Sequence, residues 1–285
     1  MKKTLPYNLF WLNISFLFIA TSGALGKWIT LPPELAIFWR SFLAIPFLIA
    51  FLLLGKQNLR PLFKWNFPVV LSSVFMGIHW VTYFYALQWS NVAIGMLSLF
   101  TFPIMTAFLE PIFFKTSLNR KHLLLGGLTF LGIYFLVPSF TLVSSYGWAL
   151  LLGLFSALCY ALRNLMIKKY IPAVNGSQLM LKQVIVISLL STPFLSVETI
   201  IESMNYGWAL LSLALFTTVI GHSLFLYSLN HFSVTTASMM ACIQPLYGII
   251  LAYFFLNEIP HWGTYVGGAL ILFAVFVEAR SLRKE

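Results

Sequence analysis

Read for hydrophobic and polar positions alone, the chain is a succession of long apolar runs cut by short polar punctuation. Ten runs are bounded by charge, Pro, Gly or Asn: residues 9–29, 34–54, 67–87, 92–114, 123–137, 147–167, 178–197, 208–229, 234–256 and 262–277. They are continuously apolar rather than alternating, and most approach the roughly 20 residues that a helix needs to cross a hydrocarbon core. A transmembrane barrel would show alternating runs of about 10 residues instead. The pattern predicts an all-α integral membrane protein of ten transmembrane helices, with the shorter runs extending into their flanks.

Composition agrees. Of 285 residues, 60% are hydrophobic and only 8% charged, against about 25% charged in a soluble domain, and the mean hydropathy is +0.90. A net charge of +10 would suggest nucleic acid in a soluble protein. Here the basic residues sit in short loops, so no nucleic-acid partner is expected. Lys2 and Lys3, then Lys56, Arg60 and Lys64, Lys115, Arg120 and Lys121, Lys168 and Lys169, and Arg280, Arg283 and Lys284 all fall on one side of the ten-span arrangement. Glu198, Glu202 and Glu258 fall on the other, with Lys27 the one basic exception. The positive-inside rule then places both termini in the cytoplasm, in an inner or plasma membrane. The basic N-terminus ahead of a full-length run reads as the start of a span rather than a cleaved leader.

Sliding the sequence against itself reveals an internal repeat with an offset of 142 residues. Lys27 meets Lys169, Trp28 Tyr170, Ile29 Ile171, Arg40 Lys182, Tyr85 Tyr227, Leu87 Leu229, Ala93 Thr235 and Pro103 Pro245. Gly126-Gly127 pairs with Gly267-Gly268 after a one-residue slip. Residues 1–141 and 142–285 thus form two five-helix units, and because five is odd the second is inverted relative to the first. Inverted repeats are a transporter architecture, in which two pseudo-equivalent halves exchange conformations about a site near the midplane.

The arrangement resembles the drug/metabolite transporter superfamily, EamA type. The likeness rests on the five-plus-five organisation, on Tyr85-Ala86-Leu87 and Tyr227-Ser228-Leu229 closing spans three and eight, and on Pro103 and Pro245 inside spans four and nine. Asn257-Glu258 followed by Gly267-Gly268-Ala269-Leu270-Ile271-Leu272 extends it. The first half departs from the pattern: Lys115-Thr116 stands where a glutamate is expected, and Glu110-Pro111 lies about a turn earlier. The resemblance implies a central cavity lined by spans one to four and six to nine, peripheral spans five and ten, and export of amino acids or related metabolites.

Ionisable groups inside a bilayer are costly, so each needs a role. Arg40 and Lys182 are pseudo-equivalent cations, read either as gating or anion-attracting charges or as side chains reaching to the nearest headgroups. Glu110 pairing with Arg163 or Lys182 would close a cytoplasmic gate; alternatively Arg163 meets a substrate carboxylate. His79 and His222 are close to pseudo-equivalent near mid-membrane and can donate to a substrate or carry a coupling proton. His79, Tyr83 and Ala86 share a helix face, with Trp80 and Tyr85 pointing elsewhere. Phe102, Tyr160, Asn164, Tyr227 and Gln244 complete a candidate substrate-binding set, and Pro103 and Pro245 are candidate hinges. Cys159 and Cys242 read as packing residues, and no third ligand joins the two histidines, so neither a metal nor another cofactor is expected.

The leading reading is a secondary carrier of small metabolites that works by alternating access, with amino acids or related carboxylates preferred because intramembrane cations outnumber acids. Nucleotide-sugar, purine and cationic-drug carriage are the alternatives. No nucleotide-binding loop, catalytic constellation or filter-like segment supports a pump, an enzyme or a channel. The partners implied are a small-molecule substrate and the lipid bilayer, with protons and a second copy in a homodimer left open.

Overall fold

A computed structural model describes residues 5–118, 120–136, 145–170, 175–259 and 262–282. Lys2, Lys3, Arg283, Lys284 and most of the segment between spans five and six lie outside the described residues. Every regular element described is helical. In chain order they are α1 (Leu5–Trp28), α2 (Pro33–Leu54), α3 (Phe67–Trp89), α4 (Val92–Leu99), α5 (Phe102–Phe114), α6 (Arg120–Leu136), α7 (Ser145–Tyr170), α8 (Gly176–Ser191), α9 (Val197–Met204) and α10 (Gly207–Ser212). A π-helical stretch, Leu213–His222, leads into α11 (Ser223–Ser228), followed by α12 (Val234–Ala241), α13 (Gln244–Leu256) and α14 (Trp262–Leu282). Among the described residues, eight helical segments are long and apolar enough to cross a membrane, and four of them are composite: α4 with α5, α8 with the 3-10 turn Thr192–Phe194, α10 through α11, and α12 with α13.

Local chemistry explains the boundaries. Asn66, Asn91, Asn175, Ser196 and Ser233 each accept a hydrogen bond from a backbone amide three residues on, and so start α3, α4, α8, α9 and α12. The seventh apolar run, predicted to continue to residue 197, stops early because Pro193 turns α8 into a 3-10 turn. Beyond that turn the chain forms a separate short helix, α9, with Val197, Ile200, Ile201 and Met204 exposed on one stripe and Glu198 and Glu202 elsewhere on it. That pattern suits a helix lying at a membrane surface.

The 142-residue repeat appears in backbone detail. Asn91 and Ser233 cap α4 and α12, and non-helical turns at Phe100–Thr101 and Cys242–Ile243 break both spans. Pro103 and Pro245 fall in the first turn of α5 and α13, where a proline's missing amide costs nothing. Lys115 and Asn257 end those helices in the left-handed conformation, at φ 55° and 54°. Each of these pairs is 142 apart.

The spans pack as a single bundle around α1, α3, α7 and the π-helical span, while α6 and α14 pack mainly on each other. Small residues set the closest crossings. A Cβ on Gly176 would strike the backbone of Ser223 and Tyr227, and one on Gly153 the Ser98 side chain.

At each end of the bundle a glutamate from one repeat caps a helix of the other. Glu110, on α5, accepts hydrogen bonds from the amides of Val234 (3.1 Å) and Thr235 (3.2 Å) and from the Thr235 hydroxyl. Glu258, just past α13, accepts from the Val92 amide at 3.3 Å. Val92 and Val234 are themselves 142 apart. A lysine completes each cluster by donating to the carbonyls that end the preceding helix. Lys27 Nζ meets the Gln88 and Ser90 oxygens (3.2 and 2.5 Å), and Lys168 Nζ meets those of Leu229 and Phe232. Replacing Glu110 with Ala leaves two amides and a hydroxyl without a partner, so the detergent-solubilised protein is expected to lose about 1–3 kcal/mol of stability. A melting temperature unchanged from wild type would show that the cap contributes nothing.

Glu258 is half-buried outside the spans. Burial pushes its carboxyl up from its ordinary value, while the Val92 amide and Lys27 pull it back. A carboxyl raised on folding penalises the ionised form, so this cost is absent below the ordinary carboxylate range and grows as pH rises through the higher folded value. The melting temperature of wild type should therefore fall relative to Glu258→Gln between about pH 4 and pH 8. A constant difference across that range would contradict this.

Candidate functional site

Helix α3 carries Ser72, His79, Trp80 and Tyr83 inward, and α7 brings Ser156, Tyr160 and Arg163 against them in antiparallel register. Between these helices, and closed by α1, α4, the start of α5, the π-helical stretch and α13, lies a central cavity. Its walls include His79, Trp80, Tyr83, Phe102, Tyr160, His222 and Gln244, with Ser22 and Met96. Phe102 and Gln244 are 142 apart, so each repeat supplies the residue that opens its second half-helix. The enclosed space, about 20 Å³, is enough for a water and too small for a metabolite. Among the described residues none of α6 or α14 lines it, as the family resemblance implied, but none of α2 or α8 does either, although the resemblance implied walls from spans two and seven.

The walls are aromatic and tightly stacked. The His79 and Tyr160 rings are 4.5 Å apart and nearly parallel, and Phe102 meets Tyr160 edge-on at 4.9 Å. Trp80 and His222 lie 5.4 Å apart. Stacked geometries of this kind favour a planar or amphipathic solute once the site opens.

Two arginines flank this cluster, both fully buried. Arg40 of α2 lies 3.8 Å over the Trp80 ring and donates from Nε to Thr218 Oγ1 at 2.8 Å. The π-helical turn makes that contact available: Thr218 donates to the Leu213 carbonyl five residues back, which leaves its lone pairs for Arg40. A π-bulge in a span is a recurrent mark of a functional site. Arg163 of α7 donates to Asn164 Oδ1 (2.8 Å) and Gln183 Oε1, and Gln183 passes its amide on to Ser72. Arg40 Nη2, Arg163 Nε and His222 Nδ1 are buried without a partner among the described residues.

Among the described residues no carboxylate answers these charges. The chain has no aspartate, and each glutamate whose side chain is described is engaged or exposed elsewhere. Glu34 accepts from Tyr85, Glu110 and Glu258 cap helices, and Glu198 and Glu202 are exposed on α9. Two buried guanidinium groups are thus bonded only to neutral partners, a costly arrangement, because an uncompensated buried charge costs several kcal/mol.

Several expectations change. Trp80, expected to point elsewhere, is buried in the cavity wall beneath Arg40. Tyr227 is not at the cavity: it is 40% exposed and meets His231 edge-on at the helix end. Lys182 is not central either; it donates to the Lys64 carbonyl at 2.6 Å and lies over Trp65. Glu110 pairs with neither Arg163 nor Lys182, since its oxygens are taken by α12. Asn164 serves Arg163 rather than lining the cavity. His79, Tyr83, Phe102, Tyr160, His222 and Gln244 do come together, with Pro103 and Pro245 directly behind the two breaks. The sequence reading missed Ser22, Met96, Ser156, Gln183 and Thr218, small or neutral residues that carry no signal outside a three-dimensional context.

Comparison with known proteins agrees with this geometry. The model of the EamA-like transporter family matches twice, over residues 7–137 and 147–278. The pseudopaline exporter CntI of Pseudomonas aeruginosa strain UCBPP-PA14 is 24% identical over 253 residues, with 88% of each chain covered, and its counterpart from strain PAO1 matches to the same extent. A solved crystal structure shares the fold, with a TM-score of 0.72, 15% identity and 99% of each chain covered. Two tandem matches spanning almost the whole length, on a bundle whose halves repeat cap for cap, make this multi-pass membrane protein a non-enzymatic carrier belonging to the EamA-like transporter family.

Proposed function

We propose that the protein is a secondary transporter that exports amino acids or related carboxylate-bearing metabolites by alternating access. The observation that carries this reading is the pair of buried, acid-free arginines, Arg40 and Arg163, flanking an aromatic cavity. Each keeps an unpaired N–H, and a carboxylate is the natural bidentate partner of a guanidinium. The same observation disfavours a cationic drug, for which a cavity acid would be needed; Glu110, the one candidate, is committed to α12. The Pseudomonas relative is an exporter, which supports the direction.

The arrangement we propose has ten spans in two inverted units, residues 1–141 and 142–285, with both termini in the cytoplasm and the carrier in the plasma or inner membrane. Charge supports the orientation. The loop carrying Lys56, Arg60 and Lys64 contacts the start of α8 through Asn175, Gln178 and Lys182, beside Lys168 and Lys169. Lys27, Glu34 and Glu258 gather at the far end with Tyr85 and Val92. The proline-marked breaks of α4/α5 and α12/α13 are the hinges of this scheme, and His79, Tyr83, Phe102, Tyr160, His222 and Gln244 are its substrate contacts.

Counterflow of labelled amino acids and related carboxylates in proteoliposomes is the test. Saturable exchange is expected for wild type, and Arg40→Gln or Arg163→Gln should lower it more than tenfold, a loss of about 1.4 kcal/mol or more in substrate interaction. Removing a buried, unpaired charge should leave thermal stability unchanged or raise it. Tyr227→Phe should exchange at the wild-type rate. Full exchange in both arginine variants would overturn the carboxylate reading.

A further inference from the structure

Ser156 of α7 is fully buried and makes two contacts with a single residue of α3. Its Oγ lies 2.7 Å from His79 Nδ1 and 2.8 Å from the His79 main-chain oxygen. Two oxygens approach to 2.8 Å only with a hydrogen between them, and a carbonyl has none to give. The Ser156 hydroxyl therefore donates to the His79 carbonyl, and only its lone pairs remain for Nδ1. The contact at Nδ1 then requires the hydrogen to sit on the ring nitrogen. A neutral imidazole carries one such hydrogen, so Nε2 is left as a bare acceptor. Ring orientation is held as well, because His79 lies between Tyr160, 4.5 Å away, and Tyr83, 6.1 Å away, nearly parallel to both.

That acceptor is chemically isolated. His79 lines the cavity, and its Nε2 has no hydrogen-bond partner among the described residues. The unpaired groups around it include the N–H groups of Arg40 and Arg163, both donors, and His222 Nδ1. Donors on the flanks would take carboxylate oxygens, and an acceptor among them calls for an N–H. The solute that matches both is a carboxylate that also bears an amine.

We propose that Ser156 fixes His79 as the Nδ1–H tautomer and that His79 Nε2 accepts a hydrogen bond from the substrate's amine, so that the carrier selects amino-carboxylates over carboxylates without the amine. This rests on the carboxylate reading and names its substrate more narrowly. His79 is the contact, and Ser156 is a positioning residue acting through it. Tautomer choice matters because the opposite tautomer would present an N–H to the substrate's own N–H groups.

The test uses the full chain in proteoliposomes, with labelled phenylalanine, leucine and glutamate each paired with its des-amino analogue. Wild type should exchange the amino member of at least one pair about tenfold better, the value of one hydrogen bond to a charged group. Ser156→Ala should erase that preference by raising KM for the amino member alone, and Ser156→Thr, which keeps the hydroxyl, should restore it. Equal exchange of both members by wild type would overturn this inference and leave the carboxylate reading standing, whereas exchange of neither would overturn both. Equal loss for both members in Ser156→Ala would reduce Ser156 to packing and overturn its role. Nitrogen-15 NMR of histidine-labelled protein, with His79 assigned by comparison with His79→Gln, reads the tautomer whether or not the serine variant folds. A protonated Nε2 in wild type would overturn the proposal.

Discussion

Hydrocarbon offers no hydrogen bonds, so every helix end and every break in a membrane-embedded helix has to be satisfied by the protein itself. This chain breaks two of its spans, at Phe100–Thr101 and Cys242–Ile243, and starts both at turns close to the membrane faces. The ends are satisfied across the repeat boundary. Glu258 of the second half caps the start of α4 in the first, and Glu110 of the first half caps the start of α12 in the second. Lys27 and Lys168 neutralise the carbonyl ends immediately before those starts and lie within electrostatic reach of the same two glutamates. Each broken span thus starts on a cap residue of its own half, Asn91 or Ser233, and on a glutamate of the other.

With the termini of the broken spans secured, the interior tolerates a second departure from ordinary membrane chemistry. Arg40 and Arg163 are buried in the core with aromatic and neutral partners only. The π-helical turn in span eight supplies Thr218 to one, and Gln183 with Asn164 receives the other. Partners of this kind satisfy some N–H groups without cancelling the charge, and both guanidinium groups lie against rings of the cavity wall, Trp80 and Tyr160. Replacing them with glutamates would make a more stable core and a site with nothing left to offer an anion.

Eight of the ten predicted spans recur as helical segments long enough to cross a membrane, because apolar run length and cap residues are local properties, whereas the runs at 123–137 and 262–277, in α6 and α14, are not among those segments. Even the composite spans 92–114 and 234–256 matched to the residue, with Asn91 and Ser233 ahead of them. The cavity was legible in part. His79 and Tyr83 sit one helical turn apart, and repeat symmetry marked Pro103, Pro245 and, through Pro245, Gln244. Helical-face reasoning failed at Trp80 because the cavity subtends a wide arc of α3, so that neighbours 100° apart both face it. It failed at Tyr227 because that residue, like its repeat mate Tyr85, lies near the end of its span, where the tyrosine finds a polar neighbour instead of the cavity. Glu110 misled for a different reason. The family's glutamate lies past the helix end, as Glu258 does, while Glu110 reaches the equivalent helix start from inside α5.

The two ends of the bundle, built alike, also define the conformation. Both glutamate caps are closed, and the cavity between them holds only about one water's volume, with the Met96 side chain filling the space beside Gly23 and Gly248. A solute can enter only if wall residues withdraw, and most of the wall is carried by stiff aromatic rings that move with their helices. The exceptions are at the breaks: Phe100, Phe102 and Gln244 flank non-helical turns and can swing without unravelling a span. The elements that seal the site are therefore the same elements whose ends are held from across the repeat. In the alternating-access scheme proposed above, changing access at one end would part a cap made by the opposite half, so that the geometry of the caps would couple one repeat to the other.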